Sequence, residues 1–523
     1  MLPGHQFYHK QVLDASARLD YTTFKGKVIT THRPIRENQA VIFFWEKAKP
    51  PAPSREEKRG SMTQVEELAA FVAQASYDDL SSEARQTLKI HVLDALGCAI
   101  GALDGPPIGM LRAQLDDFGG NPLATLIGAG KTAPDRAAFY NSALVRYLDF
   151  NDSYLASKET CHPSDNLGAA LAAAEYARGH GRDFLAALAV AYQVQCRLSE
   201  VAPVRAKGFD HTTQGAYAAA AGVARALGLD RQKTAHALAI SGTANNALRV
   251  TRTGRLSNWK GLAYPNTASA ATGAAFLAMR GITGPLEVFE GNKGFMDAIA
   301  GHFEINWRQE NLEAVRRTSI KKYNAEFHSQ SALEGVLELR AGGHFRPEDI
   351  EHVDIAIFNV AYNIIGGGEE GSKHEVHTKE EADHSLPYMV AAALLDGEVT
   401  PAQYAPERIR RQDIQGLLRK VSVHPDEAFS RRFPAEMPCR IQIALRGGHT
   451  LSIEKRDYEG FYTRPLSWEQ AAAKFHRLAA PFVDAQRRAA IVEMIATLET
   501  HPVEQLTGLL GQTLITKESE EHA

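Results

Sequence analysis

The sequence predicts a mainly α-helical protein, a large all-helical domain that carries a smaller α+β lid domain as an insertion. Three observations lead there. Ala-rich stretches at helical spacing follow one another from Met62 to about residue 280, strict period-two alternation appears only beyond residue 318, and helical spacing returns after Ser467.

Residues 1–61 lack sustained periodicity and end in the Pro- and charge-rich stretch Lys47 to Ser61. They are expected to be an N-terminal extension, flexible or not native. From Met62, Val65, Leu68, Ala69 and Val72 recur at helical spacing, and Leu88, Val92, Ala95 and Leu96 repeat the pattern behind Ser81-Ser82. The stretches 166–179, 183–198, 214–227, 231–242 and 266–280 put Ala and Gly where helices approach closely, which suits a many-helix bundle. In the inserted unit, His352 to Ile357 and Arg440 to Leu445 alternate with period two, and the latter joins Thr450 to Ile453 through Gly447-Gly448. The expected boundaries are 62–318 for the first helical part, 319–465 for the lid and 466–523 for the closing helices.

Composition narrows the function classes. The chain has 523 residues, 44% of them hydrophobic, enough for a sizeable core. Charged residues make up 23% and the formal net charge is −4, so no strong field gathers nucleic acid or an anionic membrane, and neither is expected as a partner. Cys98, Cys161, Cys196 and Cys439 form no CxxC pair and no metal-type cluster, which argues against a disulfide scaffold or an iron–sulfur centre. No apolar run approaches the roughly 20 residues that cross a bilayer, and a cytoplasmic protein is expected.

Several polar clusters are candidates for chemistry. The densest is Arg146 to Ser153, followed by His162-Pro163-Ser164-Asp165-Asn166, and it interrupts two helices. Such a loop can gather Asp149, Ser153 and His162 around one cavity, with an acid orienting an imidazole for proton transfer; equally, Asp, Asn and Ser there are ordinary helix caps. Lys207 to Thr213 precedes an Ala-rich helix whose amide end favours anions, with His211 at its start. Lys260 stands in the aromatic and glycine segment Asn258 to Asn266, just ahead of another Ala-rich helix, with Arg249, Arg252 and Arg255 adding positive charge nearby. Each of these cations also reads as a solvated surface residue. Ile320 to Gln330 lies at the junction with the insertion, where Lys321 or Lys322 can reach a cleft. Tyr362, Asp383-His384-Ser385 and Tyr388 carry less weight, packing or capping being the default. Phosphate-loop, zinc-helix and nucleophile-elbow patterns are missing from the sequence, and Gly366-Gly367-Gly368 runs into charged loop rather than a dinucleotide-binding helix.

Taken together, these clusters resemble the MmgE/PrpD family. Tyr147 to Ser153 followed by His162 to Gly168 is similar to one family signature, Ala325 to Gln330 is similar to a second, and Lys260, Asp383-His384 and Tyr388 fall in matching order, over about residues 62–510. The resemblance implies a helical domain completed by the C-terminal helices, an α+β lid, a homodimer, and no metal or other cofactor. It implies removal of water from a small tricarboxylic acid, 2-methylcitrate or a close relative such as citrate. Likeness to the related cis-aconitate decarboxylases implies an active site at Asp149, Ser153, His162, His211, Lys260, Lys321 and Tyr362; the first five are expected to be catalytic, and Lys321, Lys322, Tyr362 and His384 to bind substrate. Ser153 stands where threonine is usual, which keeps the hydroxyl; Asn324 replaces a usual proline, and the Tyr362 region aligns poorly. The mechanistic expectation is that Lys260 and Lys321 hold carboxylates, that His162 oriented by Asp149 transfers the proton, and that His211 or Ser153 assists the departing hydroxyl. Two alternatives stand beside it: decarboxylation of cis-aconitate to itaconate, and a non-catalytic helical dimer that binds a carboxylate.

Overall fold

The structure, a computed structural model, describes residues 21–24, 27–30, 62–254 and 256–512. Tyr21–Phe24 and Lys27–Thr30 pair as antiparallel strands within a unit that ends at Met62. The expectation of a flexible or non-native extension over 1–61 otherwise falls outside the described residues.

Beyond that unit, the chain opens with helix Gln64–Gln74, where Thr63 and Glu66 form a reciprocal capping box and Val65, Leu68, Ala69 and Val72 are buried. Helix Ser82–Gly101 follows, capped by the Ser81 side chain on the amide of Ala84. Helices Pro134–Tyr147, Leu167–Tyr176, Gly181–Val201, Thr212–Ala226, Arg231–Ala244 and Trp259–Met279 then pack through their small residues. Close approach is required at Gly215, where a Cβ would come 2.4 Å from the Tyr264 ring. Tyr264 in turn donates to Asn166 at 2.7 Å, so the glycine seats a polar tie at the base of the bundle's polar loop.

One hydrophobic cluster runs from Val65 to Val315 and takes in Ala471, Phe475, Leu478, Ile491, Ile495 and Leu510 from the chain's later helices. Those residues belong to helices Trp468–Ala479, Ala485–Ala496 and Val503–Leu510, which therefore share the core of the first helices. A second cluster, Ala325 to Phe461, is built on a four-stranded sheet. Its order is Thr450–Lys455, Cys439–Leu445, Ile350–Ile357, Val421–Pro425; the pairs are antiparallel except the last, which is parallel. Cys439–Leu445 buries alternate residues and packs on helix Gln330–Gly342, helix Leu386–Asp396 packs on strand Val421–Pro425, and Gly447 and Gly448 turn the hairpin with φ of 96° and 84°. The fold is thus mainly helical with a small mixed sheet. Val421–Pro425 was not legible as a strand, being five residues at a sheet edge with only its first residue buried.

The segment Asn258 to Asn266, expected to lie just ahead of a helix, instead runs into the helix itself, with Lys260 in its first turn and Pro265 inside it. Pro265 removes the bond to the Gly261 carbonyl, but complete burial of Tyr264 and near-complete burial of Ala263 hold the turn helical. The four cysteines are buried and unpaired. No helix among the described residues is long and apolar enough to cross a membrane.

Candidate active site

A cavity opens where the helical core meets the sheet-bearing unit. Six cations line it, Arg146, Arg205, Arg249, Arg252, Lys260 and Lys321, against four carboxylates, Asp149, Glu159, Glu326 and Glu370. Four imidazoles complete the polar wall: His162, His211, His328 and His384.

Asp149 is the hub of the cations. It follows helix Pro134–Tyr147 in a left-handed conformation, φ 53°, which turns its carboxylate back toward Arg146. Arg146 Nη1 lies 2.5 Å from Oδ1, and Lys321 Nζ donates at 2.7 Å to the same oxygen and at 2.6 Å to the Asp149 carbonyl. Lys260 Nζ lies 3.3 Å from Oδ2. Burial alone would push this carboxyl up, but Arg146, Lys321 and Lys260 outweigh it and hold the group well below the usual carboxylate range.

Lys260 closes a second ring of contacts. Its Nζ lies 3.5 Å from Asp383 Oδ1 and 3.1 Å from His384 Nδ1, and His384 Nδ1 lies 2.5 Å from the same Asp383 oxygen. Asp149, Asp383 and His384 offer three potential metal-ligand atoms within 4.8 Å of one another. The ammonium of Lys260 sits within contact of all three, so the lysine itself supplies positive charge at that point.

His162 is fixed from behind. Its Nδ1 lies 2.7 Å from the Asp152 carbonyl, which can only accept, so Nδ1 carries the hydrogen and Nε2 keeps its lone pair. Arg146 Nη2, 3.4 Å away, lies beside that Nε2. Burial, then Arg146, Lys321 and His211, hold this imidazole well below its ordinary value, so it is neutral at pH 7. Asp152 is itself held by His91 at 2.8 Å, Tyr192 at 2.6 Å and Ser164 at 2.7 Å. The orienting group is therefore Asp152 rather than Asp149, whose carboxylate is spent on three cations. Ser153 Oγ lies 3.0 Å from His162 Nδ1, completely buried and not among the residues that line the cavity.

His211 precedes helix Thr212–Ala226 with Nδ1 3.2 Å from Asp210 Oδ1 and Nε2 without a partner. Burial drives it down to about 3, against the pull of Asp210. The helix's amide end does not await an anion as expected, because Asp210 already accepts from the amide of Thr212 and from Arg252.

Asp149, His162, His211, Lys260, Lys321 and His384 thus come together on one wall. Lys322 and Tyr362 do not. Lys322, half-exposed, is engaged instead by Glu459 at 2.8 Å and Glu334 at 3.4 Å. Tyr362 packs against the sheet-bearing core, and Ile364 from the same turn and Glu370 beyond it reach the cavity in its place. Tyr388 is a buried packing residue whose hydroxyl donates to the Gln403 carbonyl. Arg255 lies outside the described residues. Sequence reasoning did not single out Glu159, Arg205, Glu326, His328 or Glu370; only the Glu-Phe-His order in Ala325 to Gln330 offered a signal.

The chain matches the MmgE/PrpD N-terminal domain over residues 66–308 and the MmgE/PrpD C-terminal domain over residues 323–500. It belongs to the MmgE/PrpD family. The second match spans helices that pack, in the structure, into the first domain's core. Among MmgE/PrpD relatives, the chain is 30% identical to 2-methylcitrate dehydratase of Salmonella typhi over 384 residues, 68% of this chain and 76% of the relative. It is 28% identical to 2-methylcitrate dehydratase of Cupriavidus necator over 472 residues, 82% and 93% of the two chains. It is also 25% identical to cis-aconitate decarboxylase of Mus musculus over 468 residues, 83% and 90%.

Proposed function

We propose that this chain is a hydro-lyase that removes water from 2-methylcitrate to give 2-methyl-cis-aconitate, or from a close tricarboxylate such as citrate to give the corresponding alkene, by metal-independent acid/base catalysis. The observation that carries the reading is a neutral imidazole, His162, with its basic Nε2 beside Arg146 in the wall of a cavity lined by six cations. Dehydration of such an acid breaks a C–H bond next to a carboxylate, and negative charge builds on that carboxylate as the proton leaves. On this reading His162 Nε2 takes the proton, Lys260, Lys321 and Arg146 stabilise the carboxylate charge, and the electron pair forms the double bond as the C–O bond breaks. A triply charged substrate suits six cations facing four carboxylates, and the sheet-bearing unit serves as the lid. The naming of two relatives as 2-methylcitrate dehydratases supports the same reaction class.

Purified full-length protein incubated separately with 2-methylcitrate, citrate and cis-aconitate, and followed by proton NMR, tests the reading. Loss of the 2-methylcitrate methine signal, with its methyl doublet replaced by the singlet of a methyl group on an alkene carbon, is expected. Release of CO₂ from cis-aconitate with no turnover of either hydroxy acid would sink it in favour of decarboxylation, the reaction named for the mouse relative.

A further inference from the structure

Glu326 and His328 form a buried pair in the same cavity wall that the mechanism above leaves unused. They flank Phe327 in the turn Phe327–Ser329, which leads into helix Gln330–Gly342. One Glu326 oxygen lies 2.7 Å from His328 Nδ1, and the other accepts the His328 amide, also at 2.7 Å. The carboxylate is therefore locked to one imidazole by two bonds. The Glu326 amide also donates to the Asp383 carbonyl at 3.0 Å, which ties the pair to the Lys260 cluster.

The other ring nitrogen has nothing to bond. His328 is 2% exposed, its Nε2 has no hydrogen-bond partner, and both it and Glu326 line the cavity. Phe358 and Phe433 lie with ring centroids 5.8 Å from the imidazole, and Phe327 at 6.0 Å, so bulk water is kept off its sides. A histidine kept for packing would not leave a buried nitrogen unpaired at a cavity wall, since that costs free energy that an apolar residue avoids. The setting is also opposite to that of His162. His162 has a neutral carbonyl behind it and cations around it, whereas His328 has a carboxylate behind it and aromatic rings around it.

We propose that His328 is the general acid of this site, donating a proton from Nε2 to the departing hydroxide, with Glu326 as the residue that positions it. The inference rests on the dehydratase reading. His162 accepts the proton from carbon, the C–H electron pair becomes the new π bond, the C–O bond breaks, and the oxygen leaves as water with the His328 proton. His328 ends neutral and His162 protonated, and exchange with solvent after release restores both. Held down at about 2 by His328 against the upward push of burial, Glu326 stays a carboxylate throughout.

The test compares leaving groups. His328→Gln and Glu326→Gln, each checked for a cooperative melt, are assayed on the hydroxy acid and on its analogue with chloride in place of the departing hydroxyl, which leaves without a proton. His328→Gln is expected to lower kcat on the hydroxy acid by ~10²–10⁴-fold and on the chloride by less than about tenfold, whereas His162→Gln lowers both. Glu326→Gln, which keeps the shape, should show the same selective loss at smaller size, a pattern that a purely structural role would not give. Equal losses on the two substrates in His328→Gln, or turnover of the hydroxy acid within about tenfold of wild type, overturn the acid role while leaving the dehydratase reading intact. Absence of wild-type turnover on every tricarboxylate overturns the dehydratase reading first, and this step with it.

Discussion

Lys474, on helix Trp468–Ala479, donates to the carbonyl oxygen of Lys321 at 2.8 Å. The same ammonium reaches the Phe150 carbonyl at 2.8 Å and Asp94 Oδ1 at 2.7 Å. One residue near the end of the chain therefore braces both the Asp149 loop and the Lys321 linker from behind. Lys474→Met leaves Asp94 as a buried carboxyl without its cation and frees two carbonyls. A loss of about 3–5 kcal/mol in unfolding free energy by urea titration is expected, partly recovered in the double variant Lys474→Met/Asp94→Leu. A single variant as stable as wild type would remove Lys474 as a brace.

Asp149→Asn tests the hub. Asparagine tolerates the left-handed backbone at this position, so the change removes charge rather than shape. Arg146, Lys321 and Lys260 lose their shared carboxylate, and the melting temperature should fall at pH 7. Added citrate should raise the melting temperature of the variant more than that of wild type, because a bound polyanion replaces the missing charge. Equal shifts would mean that these cations do not face the ligand.

His162→Gln should lower kcat by ~10²–10⁴-fold with little change in KM, read by steady-state kinetics on whichever tricarboxylate turns over. Lys322→Ala, whose target is already paired to Glu459 and Glu334, should leave both constants unchanged. A large effect of the second variant and none of the first would reverse the placement argued for the two residues.

The pH dependence of stability separates two buried groups of opposite sign. His211 is lowered to about 3 in the folded state, so between that value and the ordinary ~6.5 the unfolded chain binds the extra proton and acidification costs stability. Asp165 is pushed up to about 7 by burial, so the folded chain binds the proton first and the same acidification favours folding. Between pH 7 and pH 5 each contribution is about 2 kcal/mol. His211→Gln should therefore lose less stability than wild type on that change, and Asp165→Asn more. Parallel pH profiles for all three proteins would refute both assignments.

Much of this was legible in the sequence, and the limits have a physical cause. Helical and period-two spacing, with the Gly447-Gly448 hairpin, are local signals that burial only confirms, so the helical bundle, the sheet and the return of helices after Ser467 follow from the chain itself. The gathering of Asp149, His162, His211, Lys260, Lys321 and His384 was anticipated through motif order alone. What no local pattern encodes is which way a side chain faces and what stands behind it. Only the tertiary structure decided that Asp152 rather than Asp149 holds His162, that Lys321 turns inward while Lys322 turns out, and that Lys474 ties the last helices to the site. Each of those outcomes is a competition among buried charges and hydrogen bonds from residues up to 380 positions apart, as Lys474 and Asp94 are, and it is settled when the core closes around them.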